Sequence, residues 1–293
     1  MKYGFIGAGN MGGAIAKALR NSTAQIALSD RSGRAKALAE NLGVTYWSNR
    51  EIAENCGRIF LGVKPYLMKD MLSTIDPVLA ERKPLIITMA AGLEIQQIRD
   101  FIGVDLPIIR IMPNTPSAVG KGGIQYCHNS LVTEDLLEDW LRDMAPCGLL
   151  DELEERLIDA ASSISGSGPA YMYLMLEALA DGAVACGIPR AKAMEYAAMT
   201  MAGSAEMYLQ TKTHPGALKD AVCSPLGSTI QGVRALEDKG FRGAVIECVL
   251  ATYARNKEMG KGTGVSLETS APVVIDTRNG NARPLRTDER WWP

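Results

Sequence analysis

The sequence predicts a doubly wound α/β sheet over residues 1–150, followed by an all-α domain. Three observations carry this reading. Residues 1–150 alternate short apolar runs with stretches of helical spacing. A glycine-rich turn, Gly7-Ala8-Gly9-Asn10-Met11-Gly12, joins the first apolar run to the first helical stretch. Near Asp151 the alternation stops and only helical patterns follow. A β-α alternation folds as a parallel sheet because parallel strands need crossover helices, and these then cover both faces.

The strands come from residues 2–6, 25–28, 58–63, 85–89 and 108–111. Each is too short for a buried helix, is bounded by turn residues, and is mostly apolar without alternation, as suits a strand covered on both faces. Residues 123–127 and 148–150 are candidate later strands. Helical spacing occupies 11–21, 34–42, 49–55, 67–74 and 95–101, and a further helix is expected over 133–144 with Thr133 as its N-cap. In the second part, helices are expected over 152–163, 169–186, 189–209, 226–239 and 241–259. Pro169, Pro189 and Pro215 each suit a first helical turn, where a missing N–H loses no partner. The segment Tyr171-Met172-Tyr173-Leu174-Met175-Leu176 is apolar around most of its circumference. Such a helix is buried on several sides, in a bundle core or against another subunit. The expected units are a dinucleotide-binding domain (1–150), a helical substrate and dimerisation domain (151–262), and a tail (263–293) without sustained periodicity, expected to be disordered.

Composition narrows the function by exclusion. The formal net charge of -2 gives no general attraction for nucleic acid or an anionic membrane. Six scattered cysteines form no CxxC pair and there are only two histidines, so no metal site is expected and reduced thiols fit best. No apolar stretch reaches membrane-spanning length, and residue 2 already opens a strand, so a cytoplasmic protein is expected.

Gly7, Gly9 and Gly12 make a G-x-G-x-x-G turn between strand and helix, the dinucleotide cradle of a Rossmann-type sheet. The first glycine permits the tight turn, the second admits the pyrophosphate, and the third lets helix and strand pack closely. Helix N-terminal amides, through Ala8, Asn10 and Met11, then hold the phosphates. The second strand ends Leu28-Ser29-Asp30-Arg31-Ser32. An acid there accepts ribose hydroxyls of NAD, whereas Arg suits the 2′-phosphate of NADP. Ser29, Arg31 and nearby Arg34 favour NADP, with NAD left open and Asp30 alternatively an N-cap. Val63-Lys64-Pro65, Ala90-Ala91-Gly92 and Met112-Pro113-Asn114-Thr115-Pro116 follow further strands at the ligand-binding edge of such a sheet.

Two runs in the helical half are more specific: Ile164-Ser165-Gly166-Ser167-Gly168-Pro169-Ala170-Tyr171 and Val222-Cys223-Ser224-Pro225-Leu226-Gly227-Ser228-Thr229-Ile230. With the cradle, they resemble the pyrroline-5-carboxylate reductase family, from Met1 to about Lys261. The resemblance implies NADPH-dependent reduction of a cyclic imine to L-proline, the last step of proline biosynthesis, by a homodimer or higher oligomer built on the helical domain. It implies that Val63, Lys64, Pro65, Ala90, Ala91 and Asn114 line the nicotinamide half of the cofactor and that Asn49 contacts the adenine side. Taken alone, Asn49 is an N-cap and Lys64 a surface lysine. The amides of Gly227, Ser228 and Thr229, opening a helix after Ser224, would bind the substrate carboxylate. The Thr229 hydroxyl matches the family threonine that hydrogen-bonds the ring nitrogen. His214, and the serines at 165 and 167, are expected to play structural or capping roles. In the family Gly-Gly-Thr-Thr usually follows the proline; here Leu226-Gly227-Ser228-Thr229 stands in its place.

Two other functions compete. One is another two-domain imine or β-hydroxyacid reductase; hydroxyacid members place a catalytic lysine a few residues before an asparagine on the helix at 169–186, which here contains neither residue. A noncatalytic NAD(P)-binding regulatory protein would have no use for the run from Ser224 to Thr229.

Overall fold

The computed structural model describes residues 2–23 and 25–260 and, beyond these, a short antiparallel pair of strands, Val273–Ile275 and Ala282–Pro284. The rest of the expected tail, 263–293, lies outside the described residues. The N-terminal half builds one eight-stranded sheet. Its strands are β1 Tyr3–Ile6, β2 Ile26–Ser29, β3 Thr45–Tyr46, β4 Arg58–Leu61, β5 Leu85–Thr88, β6 Ile108–Met112, β7 Gly122–His128 and β8 Gly148–Glu152. The order is β3-β2-β1-β4-β5-β6-β7-β8. Every pairing is parallel except β6 with β7. Strand order reverses at β1, which lies between β2 and β4, so the crevice for a ligand opens there at the C-terminal strand ends.

Every residue of β1, β2, β4, β5 and β6 is buried, which is why these strands read as mostly apolar runs without alternation. Successive side chains enter two cores. Phe5 packs on one face with Ile15, Leu19, Leu28 and Trp140, its ring stacked on Phe60 at 4.4 Å. Ile6 enters the other with Ile52, Leu61, Met68 and Ile98. The covering helices are α1 Asn10–Leu19, α2 Arg34–Leu42, α3 Asn49–Asn55, α4 Pro65–Leu72, α5 Asp76–Arg82, α6 Ile95–Ile102 and α7 Glu134–Met144. Thr133 caps α7 as expected, its side chain accepting from the Leu136 amide.

Two of these elements are not anticipated. β3 spans only Thr45–Tyr46, and α5 buries only Leu79, so neither carries a readable period.

The second half contains α8 Glu155–Ser165, α9 Gly168–Ala185, α10 Arg190–Thr211, α11 Pro215–Val222, α12 Ser228–Asp238 and α13 Phe241–Gly260. α8 lies on β6 and β7 and packs against α13, while α9 and α10 pack on each other. The expected helix at 152 starts later because Glu152 still pairs with Tyr126 in the sheet. Pro189 is the N-cap of α10 rather than a residue of its first turn. α11 was anticipated only by Pro215; His214 caps it, with Nδ1 accepting from the Gly216 amide. Among the described residues no helix is long and apolar enough to cross a membrane.

Candidate active site

The turn after β1 has the three-glycine geometry the sequence suggests. Gly7 has φ +96, and a Cβ there would lie 2.7 Å from the Gly62 backbone. A Cβ on Gly12 would lie 2.8 Å from the Gly7 carbonyl oxygen, which fixes how closely α1 approaches the strand. Gly9 is different: a Cβ there would meet nothing within 4 Å. The first and third glycines are therefore required by the fold itself, and the second faces open space. Gly9 is the N-cap of α1, which carries no side-chain cap and no acid in its first turn. Its leading amides, at Asn10 and Met11, are left for an anion. Ala8 is buried, and its amide and that of Gly7 both donate to the Ser29 carbonyl at 2.9 Å, so the cradle is pinned to the end of β2 and the Ala8 amide, expected at the phosphates, is already taken.

At that end, Ser29 is buried and its hydroxyl donates to Asn49 Oδ1. Asn49 is not an N-cap. Ser48 caps α3 in a capping box with Glu51, which leaves the Asn49 side chain free to turn back to β2. Asp30 is not an N-cap either, since Gly33 holds that position in α2. The Asp30 carboxylate accepts from Ser32 Oγ at 2.6 Å and from the Gly33 amide at 2.9 Å. Burial raises its pKa, but these bonds and others from the Ala35 and Arg34 amides outweigh burial and hold it below the usual range. Its acceptors are thus engaged by its own turn. Arg31 and Arg34 are exposed and form no ion pair with a described residue.

The nicotinamide end follows from sheet order. β4, β5 and β6 are neighbours, so the segments after them stand side by side at the C-terminal edge. Val63 is half-buried, and exposed Lys64 is the N-cap of α4, which Pro65 opens. Ala90 is buried and Ala91 half-buried. Asn114 is 8% exposed. Its Nδ2 donates to the Ser165 carbonyl at 3.0 Å and its Oδ1 accepts from the Gly123 amide at 3.1 Å. The Asn114 side chain is therefore engaged with protein on both sides.

The loop before α12 departs from expectation in one detail. The helix begins at Ser228, with Gly227 as N-cap, rather than at Leu226. The Gly227 amide donates to the Ser224 carbonyl at 3.0 Å and closes the turn, so it is not free for a ligand. The open amides are those of Ser228, Thr229 and Ile230, the first turn of a helix without a side-chain cap. Leu226 has φ +59, a left-handed conformation that costs a leucine about 1–2 kcal/mol and that glycine adopts freely. That accounts for the glycine usual in the resembled family. Ser224, Leu226 and Thr229 are exposed in the single chain.

Both halves of the chain are similar to known proteins. Residues 155–259 match the family model for pyrroline-5-carboxylate reductase dimerisation, and residues 2–92 match that for NADP oxidoreductase, coenzyme F420-dependent. Pyrroline-5-carboxylate reductase from Escherichia coli (strain K12) is 41% identical over 266 residues, covering 89% of this chain and 98% of the relative. The chain belongs to the pyrroline-5-carboxylate reductase family. The Glycine max reductase is 40% identical over 87% of this chain and 95% of its own. The crystal structure of the Plasmodium falciparum pyrroline carboxylate reductase with NADP bound superposes with a TM-score of 0.81 at 33% identity, covering 89% of this chain and 98% of the other.

The family resemblance pointed to the cradle and the α12 loop but not to the residues that join the two halves. Arg110, 1% exposed in β6, pairs with Asp159 of α8 at 2.6 Å and Glu155 at 3.4 Å. A signal for it existed: a lone arginine inside Ile108-Ile109-Arg110-Ile111-Met112 has to be paired, and two acids four residues apart on one helix face can pair with it. Gln125 of β7 gave no such signal, and it is hydrogen-bonded to the Ser165 hydroxyl. Ser167 occupies the N-cap position of α9 as expected, but without a side-chain bond, and Ser165 lies outside it. Ser165 turns to Gln125 and to the Ala161 carbonyl.

Proposed function

We propose that this protein reduces pyrroline-5-carboxylate to L-proline with NADPH, as a cytoplasmic homodimer or larger homo-oligomer. The observation that carries the reading is the open, uncapped start of α12, on the run that resembles the family's substrate loop, in the same chain as a three-glycine cradle. When bound, the nicotinamide supplies the hydride. The residues present fit that cofactor. Gly9 leaves room above the N-terminus of α1 for a pyrophosphate. Exposed Arg31 and Arg34 suit a 2′-phosphate. The Ser29 hydroxyl, expected there too, is buried and committed to Asn49, and Asp30, occupied by its own turn, is poorly placed to select NADH. Val63, Lys64, Pro65, Ala90 and Ala91 border the nicotinamide position, with small side chains where the flat ring must approach.

The amides of Ser228, Thr229 and Ile230 hold the substrate carboxylate at the positive end of α12. The Thr229 hydroxyl bonds the ring nitrogen. It can donate or accept, so it serves both the imine and the amine product. In the balance of the reaction, the imine nitrogen takes a proton from solvent, the imine carbon gains the hydride, and the product is the secondary amine. The transfer itself calls for no metal. Because Thr229 is exposed in the single chain, a second subunit closes the pocket over it.

NADPH oxidation followed at 340 nm with pyrroline-5-carboxylate tests the reading directly, and an absence of turnover rejects it. Thr229→Val is expected to lower kcat roughly tenfold to a thousandfold, with NADPH affinity nearly unchanged. Wild-type turnover by the valine variant would assign the role to another group. Arg31→Ala with Arg34→Ala is expected to lower kcat/KM for NADPH about tenfold or more while sparing that for NADH. An equal loss with both cofactors would remove the arginines from the 2′-phosphate site.

A further inference from the structure

Ser165, the last residue of α8, is gripped from two sides by the sheet. Asn114, just past the end of β6, donates to its carbonyl at 3.0 Å. Gln125 of β7 is hydrogen-bonded to its hydroxyl. The two gripping residues come from one place. Gln125 lies across from Met112 in the antiparallel β6–β7 pair, and Asn114 is itself tied to β7 through the Gly123 amide at 3.1 Å. Arg110 holds Asp159 at mid-helix, at 2.6 Å, and Glu155, the first residue of α8, at 3.4 Å, so the helix is fixed to the sheet at both ends.

The position of this grip matters. Only Gly166 and Ser167 separate Ser165 from α9, the helix that carries the exposed apolar surface of the second half. The same junction forms one wall of a cleft with Thr115, Ser167, Tyr171 and Thr252. Thr115 follows Asn114 at the sheet edge where the nicotinamide segments end. Tyr171 and Thr252 are joined through their hydroxyls at 2.5 Å, which continues the connection to α13. A displacement at Ser165 would shift the departure of α9, and with it every surface the helical domain contributes to the site.

We propose that Asn114, Gln125 and Ser165 form a positioning clamp that sets the helical domain against the nicotinamide edge for hydride transfer. The inference rests on the reductase reading above. None of the three has to touch the reacting atoms. The clamp acts by holding geometry, and misplacement of about 1 Å costs as much as a hundredfold in rate.

The test uses full-length wild type, Ser165→Ala, Gln125→Met and the double variant. For each, kcat, KM for pyrroline-5-carboxylate, NADPH affinity by fluorescence, subunit association by light scattering and amide exchange of residues 166–171 are measured. Each single variant is expected to lose kcat about tenfold to a hundredfold. NADPH affinity and association should stay within about twofold. The double variant should be no worse than the poorer single one, since both substitutions break one contact. Exchange at 166–171 should rise about tenfold or more as the junction loosens. The clamp is refuted if kcat stays within about twofold of wild type, if the losses multiply in the double variant, or if NADPH affinity falls in parallel with kcat. Should Ser165→Ala fail to fold, Gln125→Met alone decides on the same criteria, because it leaves the Ser165 hydroxyl its bond to Ala161. If wild type binds NADPH but leaves the imine unreduced, the reductase reading fails. Amide exchange then decides the clamp: unchanged protection at 166–171 refutes it.

Discussion

In the first half of the chain the helices cover their own sheet. Ile15 and Leu19 of α1, Met68 and Leu72 of α4, and Ile98 of α6 are all fully buried by it. In the second half the proportions invert. α9 and α10 together run to forty residues, yet the buried ones are Ala180, Ala193 and Ala197, while α11 and α12 bury none. Leu174 is 70% exposed and Met199 72%. Covering a side chain of that size is worth about 1.5–3 kcal/mol, and Tyr173, Met172, Ile246 and Leu250 stand exposed beside them in the same half. The sum is comparable with the entire stability of a domain. A monomer would waste it, and a face of this extent calls for a partner. The dimerisation family model matches over these same helices. One half is thus complete in a single chain, and the other leaves an apolar face that the proposed dimer would cover.

The most severe way to break this contrast is Leu174→Glu. A charge on the apolar face should leave the cradle folded but prevent association, giving monomer or aggregate and at least about a hundredfold less activity, because desolvating an unpaired carboxylate costs several kcal/mol. Light scattering with an activity assay checks it, and an active dimer of the variant would place the interface elsewhere. Gly12→Val attacks the other half. The added Cβ would lie 2.8 Å from the Gly7 carbonyl oxygen, so NADPH affinity should fall more than tenfold while the protein remains dimeric. Loss of the dimer with the cofactor site would mean that the halves are not independent. The mildest change is Leu226→Gly. It removes left-handed strain of about 1–2 kcal/mol and adds unfolded-state freedom of up to about 1 kcal/mol, so the melting temperature should rise by no more than a few degrees. A clear fall would show that Leu226 makes contacts in the assembled protein that offset its strain.

Much of the site could be read before folding. The strand–turn–helix context of Gly7, Gly9 and Gly12 is local, and local geometry follows from local sequence. The same holds for Thr133 as a cap and for the alternating elements that place Val63, Ala90 and Asn114 at strand ends. Local geometry misled at the α12 loop, where a left-handed Leu226 delays the helix by two residues and consumes the Gly227 amide. It also misled at Asn49, whose capping position Ser48 had already taken.

What the sequence determined by itself was periodicity and punctuation: where strands and helices fall, and which turns suit a phosphate or a carboxylate. These are properties of a few neighbouring residues. Which side chains meet across distance was decided only by the tertiary structure. The Ser29–Asn49 bond, the Arg110–Asp159 pair and the grip of Asn114 and Gln125 on Ser165 all depend on it. Asn and Gln carry no signature of their partners in a sequence, because one amide can bond almost any polar group. Packing alone selects which.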